Sequence, residues 1–477
     1  MSGGAPERQC QQLLLGQLLM RGSSAILAAT LAPWIVAGSA VATPLDLPLE
    51  AAIARALEAN RALASSRRSR DAEALSVGAA RSAFDLKIVP TSTLGRIGTE
   101  SPSSETNGWN GSVGVQLRKT FESGTTVSLG PSYNRSGRAS NTGLDATIHQ
   151  PLTRPFDSEV VLDNVHRAEF ALASFDNAHR RFRERLALET VAAYHDAIRN
   201  DHLTRISNDL GERLHRHALV ASRKEKAELS GPSDTFRAQI RLKDAEDAGH
   251  QSRVAFELAK GRLRQILALP ADADMRLSSP ALPEVDARNA VQRALANSAD
   301  LAQARTELAE GQRAARIAAH ATRPDVSLHL TYGSAIADPL LQSLLPVTQR
   351  RWSAYVQVAG DVARSTEKLN HRRALVRMEA LAVAIEDKTL EVERAVQQQI
   401  QILAGARSRI ELRETQVRQA RGKLSLAEVK VAHDMADNFE LIEAEGDLYR
   451  ARSELAGAQM EYALAAYALK TMMGEFP

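Results

Sequence analysis

The chain has 477 residues, of which only 4% are aromatic and 25% are charged. Such a length ordinarily predicts two or three globular domains. The scarcity of aromatic residues favours long helices that pack along narrow contacts instead, as do long stretches rich in Ala, Leu, Glu, Gln and Arg. The 60 basic and 57 acidic residues leave a net charge of only +3, which excludes the strongly basic surface that nucleic-acid binding needs.

The N-terminus has the pattern of an export signal. An apolar run from Ala25 to Ala37 follows basic residues and precedes the small-residue triplet Ala40-Val41-Ala42. We therefore expect residues 1–42 to be a signal peptide that is cleaved after Ala42. An N-terminal membrane anchor is the alternative, although a run of this length, interrupted by Pro33, is short for a spanning helix.

Cleavage at this position would leave the mature chain without a thiol. Cys10 is the only cysteine of the sequence. Disulfides, cysteine nucleophiles and thiolate metal sites are then excluded together. No motif of a metalloprotease, nucleotide-binding loop or serine hydrolase is present either, so we expect no catalytic residue, no metal site, no cofactor and no enzyme activity.

Proline placement divides the mature chain into helical tracts and strand regions. No proline occurs between Pro155 and Pro232, or between Pro346 and Pro477. Because proline breaks helix interiors, this distribution predicts long helices that alternate with short sheets. No later apolar run approaches the length of a spanning helix, so any contact with a membrane would have to be made by strands.

The regions between the tracts alternate apolar and polar residues with the period of a strand. The predicted strands include Val113 to Leu117, Val127 to Tyr133, Leu144 to Ile148, Val326 to Tyr332 and Trp352 to Val358. Two segments rich in Ser, Asn and Gly, 100–110 and 134–142, are predicted to be exposed loops.

Four to six such strands per chain cannot close a membrane barrel, whose smallest form has about eight strands. An open sheet in lipid would leave unpaired edges, so copies of the chain would have to complete it. A soluble sandwich is the alternative interpretation of the strands alone.

The second helical tract has a heptad register that begins with Leu375 at position a. The a positions are Leu375, Ala382, Thr389, Val396, Leu403, Ile410, Val417, Leu424 and Val431, and the d positions are Met378, Ile385, Val392, Gln399, Ala406, Arg413, Ala420 and Ala427. This repeat predicts a supercoiled helix about 85 Å long. A sheath of many helices and an ordinary two-stranded coiled coil fit the register equally well.

The first tract matches the second at a constant offset of 206 residues, which indicates an internal duplication. Matching pairs include Arg167 with Arg373, Lys224 with Lys430, Ala238 with Ala444 and Leu242 with Leu448. We therefore predict two structural repeats, 43–280 and 281–477. Each repeat would contain a helix of about 35 residues, a strand region, a long helix of about 70 and a return helix of about 35.

Two motifs within these predicted repeats resemble motifs of the TolC-like outer membrane factor family, the outer membrane efflux proteins. Residues 150–156, Gln-Pro-Leu-Thr-Arg-Pro-Phe, are similar to the element that leads from the last strand of the first copy into the long helix. Residues 437–445, Asp-Asn-Phe-Glu-Leu-Ile-Glu-Ala-Glu, are similar to the turn at the tip of the second helical hairpin. The corresponding turn of the first copy, 231–239, is looser.

This resemblance implies a fold that is mainly α with a small β-barrel portion. In the family, three chains each contribute four strands to a twelve-stranded outer-membrane barrel, which duplicated coiled-coil hairpins continue across the periplasm. The present chain has 4–6 predicted transmembrane strands per protomer. An additional strand pair, Gly111 to Lys119 and Thr125 to Tyr133, either enlarges the barrel or forms an external flap.

The resemblance also implies the function and the partners. The chain would be the outer-membrane exit duct of a tripartite efflux pump or a type I secretion system, would export passively, and would extend into the periplasm. Its partners would be two further copies in a homotrimer, a periplasmic adaptor (membrane fusion) protein, an inner-membrane pump of the RND or ABC type and outer-membrane lipid. The alternative is a soluble periplasmic coiled-coil adaptor or scaffold.

In the family, acidic residues near the second hairpin turn narrow the periplasmic entrance, and Glu440 and Glu443 match them. Three chains would bring six such carboxylates together, which would raise some of their pKa values and favour cations. Solvated helix-surface glutamates are the alternative. The hairpin tips, which would contact the adaptor, are Gly231, Ser233, Asp234, Asp437, Asn438 and Phe439. Asp434 stands where the family has a glycine, which departs from its tip geometry.

Overall fold

A computed structural model describes residues 45–101, 104–136, 139–153, 158–338, 347–361, 363–433, 435 and 438–476. The predicted signal peptide 1–42 with its cleavage site Ala42, the tip residue Asp437 and the end of the first family motif lie outside the described residues.

The described chain is mainly helical, with one large sheet. Its first half contains β1 (Leu45–Leu47), α1 (Leu49–Ala59), α2 (Arg61–Arg81), β2 (Lys87–Ser101), β3 (Ser104–Thr120), β4 (Thr126–Ser136), β5 (Ala139–Pro151), α3 (Ser158–Val161), α4 (Asp163–Lys226) and α5 (Pro232–Ile266). Its second half contains β6 (Met275–Leu277), α6 (Ala290–Asn297), α7 (Ala299–Ala321), β7 (Asp325–Asp338), β8 (Val347–Ala359), α8 (Ser365–Ala432) and α9 (Asn438–Met472). The predicted class, long-helix hairpins with a smaller strand portion, is confirmed.

The long helices coincide at the offset that the sequence indicated. Shifted by 206 residues, α5 coincides with α9 at both ends, and α4 ends where α8 ends. The long helices have 64 and 68 residues and the return helices 35 each. The boundaries of the two repeats, 43–280 and 281–477, stay a prediction.

The heptad register describes the buried side of α8. All seven buried residues of this helix occupy a or d positions, namely Val396, Ala406, Ile410, Val417, Ala420, Leu424 and Ala427. The two polar d residues bond to the return helix α9: Gln399 Nε2 donates to Ala465 O at 3.0 Å, and Arg413 pairs with Glu454. Since α8 packs against α6, α7 and α9, it is not a strand of a two-stranded coiled coil. Within the described residues, no helix combines the length and the apolar character needed to cross a membrane.

The short helix predicted at the start of each copy is in fact two helices. Asn60 separates α1 from α2, and its Oδ1 accepts hydrogen bonds from the backbone of Ala62 and Leu63 at 3.0 and 3.2 Å. Ser298 separates α6 from α7 and caps α7 in the same way, through the backbone N–H of Leu301 at 3.2 Å. A side chain that caps a helix start competes with continuation of the preceding helix, which explains both breaks.

A second strand pair, which the sequence did not indicate, fixes the start of the described chain. Strand β1 pairs in parallel with β6, 230 residues away at Leu45 and Met275. The buried hydroxyl of Tyr194 on α4 lies 2.8 Å from Leu47 O and 2.7 Å from Ser278 O. The small sheet is therefore attached to the first long helix by a buried tyrosine.

The large sheet has six antiparallel strands in the order β2-β3-β4-β5-β7-β8. The predicted loops 100–110 and 134–142 are wrong in extent, because β3 begins at Ser104 and β5 at Ala139. Backbone pairing continues through these polar segments, since ladder hydrogen bonds do not depend on side-chain polarity.

Candidate functional site

The register of the large sheet places one row of each strand on a common face. Directly opposed residues of an antiparallel pair lie on the same face, and the pairs Ile88 with Leu117, Leu129 with Ala146 and Ile148 with Leu330 connect neighbouring strands. On this face, hereafter the apolar sheet face, Val127, Val326, Leu328 and Leu330 are half-buried. Its exposed large apolar residues are Ile88, Leu94, Trp109, Val113, Val115, Leu117, Leu129, Tyr133, Leu144, Ile148, Tyr332, Trp352, Val356 and Val358.

Every one of these side chains is between 39% and 79% exposed in the single chain. A contiguous apolar surface of this kind is rare on soluble monomers and marks contact with a partner or a membrane. The strands have 11 to 17 residues, enough for the 9–11 residues of a tilted transmembrane strand. The apolar sheet face is therefore suited to lipid.

The opposite face, hereafter the polar sheet face, has hydroxyl and charged groups that bond across strands. Thr93 and Ser112 lie 2.5 Å apart through their hydroxyl oxygens, as do Thr331 and Ser353. Ser132 Oγ donates to Asp145 Oδ2 at 3.1 Å. Side chains satisfied in this way suit a water-filled interior.

Aromatic rings of the polar sheet face contact one another across three strands, one pair edge-on and one pair stacked. The ring centres of His149 and His329 are 4.6 Å apart, and those of His329 and Tyr355 are 5.0 Å apart with nearly parallel planes. Sequence reasoning missed this cluster, because its members are 26 to 206 residues apart.

The predicted tip residues lie at the starts of the two return helices. Gly231 precedes α5, and Ser233 and Asp234 form its first turn. Asn438 and Phe439 begin α9.

The two helix starts are close to each other. The guanidinium of Arg237 on α5 lies 5.9 Å from the ring centre of Phe439 on α9. Ile442 of α9 is buried among apolar residues of α4 and α5. The structure thus brings together parts of both predicted tips, although their contact with an adaptor stays a prediction.

The two predicted gate glutamates each have a lysine partner on α8. Lys430 Nζ donates to Glu440 Oε1 at 2.6 Å, and Lys423 Nζ to Glu443 Oε1 at 2.9 Å. Lys423 also reaches Asp447 Oδ2 at 2.7 Å. Hydrogen bonds to Asp447 and Glu443 raise the pKa of Lys423 to about 12. The gate role stays a prediction, and the pairs hold the α8–α9 tip together within one chain.

A buried carboxylate that the sequence analysis did not single out joins the two hairpins. Glu445 on α9 is only 4% exposed, and its Oε1 lies 3.3 Å from Arg213 Nη1 and 3.9 Å from His217 Nε2, both on α4. Burial opposes ionisation of Glu445, but His217 and Arg213 outweigh it and lower the pKa of the carboxyl group. The last residue of the second motif thus pairs with the other copy.

We expect Glu445→Gln to lower the free energy of unfolding by about 2 kcal/mol, less than for a fully enclosed pair because the Arg213 side chain is 30% exposed. The pKa of Glu445 is lower in the folded state than in the unfolded state. The ionised carboxylate therefore stabilises the fold at any pH above the unfolded-state pKa. This stabilisation is lost as the pH falls through the folded-state pKa. Denaturant titrations at pH 7 and below about pH 4 measure both effects.

Glu411→Gln is the matched control, since Glu411 is an exposed residue of α8 whose nearest cation is 4.0 Å away. It should change stability little at either pH. An equal loss in both variants, or a loss for Glu445→Gln that does not shrink in acid, would contradict the assigned link.

The fold described above, long helical hairpins joined to a sheet, is shared with solved outer-membrane channel proteins. The solved outer-membrane channel OprN has 16% identity and a TM-score of 0.70, with 90% of each chain covered. The outer membrane protein VceC of Vibrio cholerae has 14% identity and a TM-score of 0.69, covering 89% of this chain and 96% of its own. The CmeC outer membrane channel of Campylobacter jejuni has 12% identity and a TM-score of 0.69, covering 90% and 86%. These likenesses establish the fold.

Residues 290–475 match the family described as outer membrane efflux protein. This match and the structural likenesses confirm the resemblance to the TolC-like outer membrane factors. Among curated proteins, no sequence matches this chain significantly.

Proposed function

We propose that this chain is the outer-membrane exit duct of a tripartite efflux pump or a type I secretion system. Three copies would form one channel through which solutes pass without chemical change, from the periplasm to the outside. The observation that carries this proposal is the two-sided sheet, apolar and exposed on one face and polar on the other, joined to long heptad-packed hairpins. The match of 290–475 to the outer membrane efflux proteins supports the same function.

The edges of the sheet provide a reason for assembly. Among the described residues, β2 and β8 each have a strand neighbour on one side only. An unpaired strand edge in hydrocarbon would leave backbone groups without hydrogen bonds, at a cost of several kcal/mol per group. Pairing of β8 with β2 of the next copy would satisfy both edges. The even number of strands makes this pairing antiparallel, as it is elsewhere in the sheet.

The partners follow from the same proposal. The channel would lie in the outer membrane and extend into the periplasm, where its tips would dock on a periplasmic adaptor. An inner-membrane pump of the RND or ABC type would deliver the substrate. A soluble periplasmic adaptor is disfavoured, because its sheet would expose the whole apolar sheet face to water.

Fractionation of cells that express the full chain tests the proposal. We expect the protein in the outer-membrane fraction, released only by detergent, with a band in unheated gel samples that heating converts to the monomer. The purified assembly should conduct ions in planar bilayers. A monomer released without detergent, with no conductance, would overturn the proposal and favour an adaptor or scaffold.

Replacement of both Glu440 and Glu443 by alanine tests the gate. We expect higher single-channel conductance and weaker cation selectivity, because the double variant removes two carboxylates per chain and both lysine pairs that hold the tip. Conductance in planar bilayers at low and high salt measures the effect.

Glu461→Ala is the control for the gate. It breaks a pair between the same two helices, Arg409 Nη1 to Glu461 Oε2 at 2.7 Å, about twenty residues from the tip. Its conductance should equal that of the parent protein. The gate assignment would fail if the double variant also behaved like the parent.

A further inference from the structure

The strand region differs between the two copies of the chain. The second copy contributes one hairpin, β7–β8, whereas the first contributes two, β2–β3 and β4–β5. If the additional strand pair were an external flap, it would leave the ladder, and both of its faces would meet water. If it belonged to the membrane wall, it would share the two faces of the other strands.

The hydrogen-bond ladder runs through the additional strands with one interruption, where Val115 and Gln116 of β3 lie opposite Pro131 and Gly130 of β4. Strand β3 pairs with β2 from Lys87 opposite Arg118 to Ser101 opposite Ser104. On its other side, β3 pairs with β4, which in turn pairs with β5 along its length. No strand of the large sheet is therefore peeled away from its neighbours.

Strand β3 also has an apolar row, which is interrupted only at Gly111. Trp109, Val113, Val115 and Leu117 all lie on the apolar sheet face, and all are exposed. The residues between them are polar or glycine: Asn110, Ser112, Gly114 and Gln116. A water-exposed flap has no reason to place aromatic and β-branched residues on one face only, whereas a strand of a lipid-facing wall does.

The backbones of β3 and β4 approach closely at one point. A Cβ atom on Gly130 of β4 would lie 2.1 Å from Val115 O and 2.9 Å from Gln116 Cα of β3. Only glycine fits between these backbones, which indicates that the two strands are packed as parts of one wall.

We propose that all six strands of each copy form the wall of the channel, so that three copies close an eighteen-stranded sheet in which β8 of one copy pairs with β2 of the next. This inference deepens the proposed function and rests on it. Because barrel diameter grows roughly linearly with strand number, the exit would be about one and a half times as wide as a twelve-stranded one. With the polar sheet face inward, such an exit passes bulky hydrated solutes.

Site-directed spin labels on the protein in liposomes test the inference, in a Cys10→Ser background without other thiols. Labels are placed singly at Val115 and Gln116 on β3, and at Val356 and Gln357 on β8. The rate at which a label collides with oxygen measures its exposure to lipid, and the rate at which it collides with a water-soluble nickel chelate measures its exposure to water. We expect a several-fold higher oxygen-to-nickel ratio at Val115 than at Gln116, matching the contrast between Val356 and Gln357.

The labels on β3 test the six-strand wall, and those on β8 test the membrane channel itself. Aqueous signals at both β3 positions, with the contrast retained on β8, would overturn the wide wall and leave the channel function intact. Aqueous signals at all four positions would overturn the membrane channel itself. Electron microscopy of the detergent-purified assembly provides an independent count: six wall strands per copy are expected, and four per copy would overturn the inference.

Discussion

Replacement of Val356 by arginine is expected to abolish assembly in the outer membrane, whereas arginine at the adjacent Gln357 is expected to be tolerated. Both side chains are exposed in the single chain, so neither substitution fills a packed core. They point to opposite faces of β8, Val356 to the apolar and Gln357 to the polar sheet face. Arginine on the lipid face costs about 2–4 kcal/mol near the bilayer midplane, and every copy bears this cost.

The measurement is the amount of heat-modifiable oligomer in outer-membrane fractions of cells that express each variant. A severe loss for Val356→Arg with near-normal amounts for Gln357→Arg supports lipid contact on the apolar sheet face. Equal assembly of the two variants would mean that the two faces of β8 meet the same medium, which the proposed channel does not permit.

Substitution of Gly130 by alanine is expected to lower the free energy of unfolding by about 3 kcal/mol. The added Cβ would overlap the carbonyl oxygen of Val115, and backbone atoms of a paired strand cannot swing away as a flexible side chain does. The strain would fall on the β3–β4 ladder, where Pro131 already lacks a backbone N–H. The temperature at which the oligomer band converts to monomer should therefore fall.

Gly95→Ala on β2 is the matched control, because nothing lies within 4 Å of an added Cβ at that position. It should leave the dissociation temperature nearly unchanged. A Gly130→Ala protein as heat-stable as Gly95→Ala would show that β3 and β4 are not held at the spacing described, and would weaken the assignment of both strands to the wall.

The sequence by itself determined the features that repeat locally. The heptad of α8 selected every buried residue of that helix, because a period of 3.5 residues records which side faces a neighbour. The offset of 206 predicted that two return helices of about 35 residues correspond, and α5 and α9 begin and end at matching residues because duplicated helices keep their lengths. Alternation with period two found strands β3, β4, β5, β7 and β8, and the two motifs led to the family before any contact was known.

Only the tertiary structure decided which distant segments meet. The pairing of β5 with β7 joins residues about 180 positions apart, and it alone shows that the apolar rows of both copies form one face. Glu445 pairs with Arg213, which is 232 positions away in the sequence, and β1 pairs with β6, which is 230 positions away. Periodicity reports the direction in which a side chain points, but strand order, register and charge partners depend on how separate elements pack, which no local pattern contains.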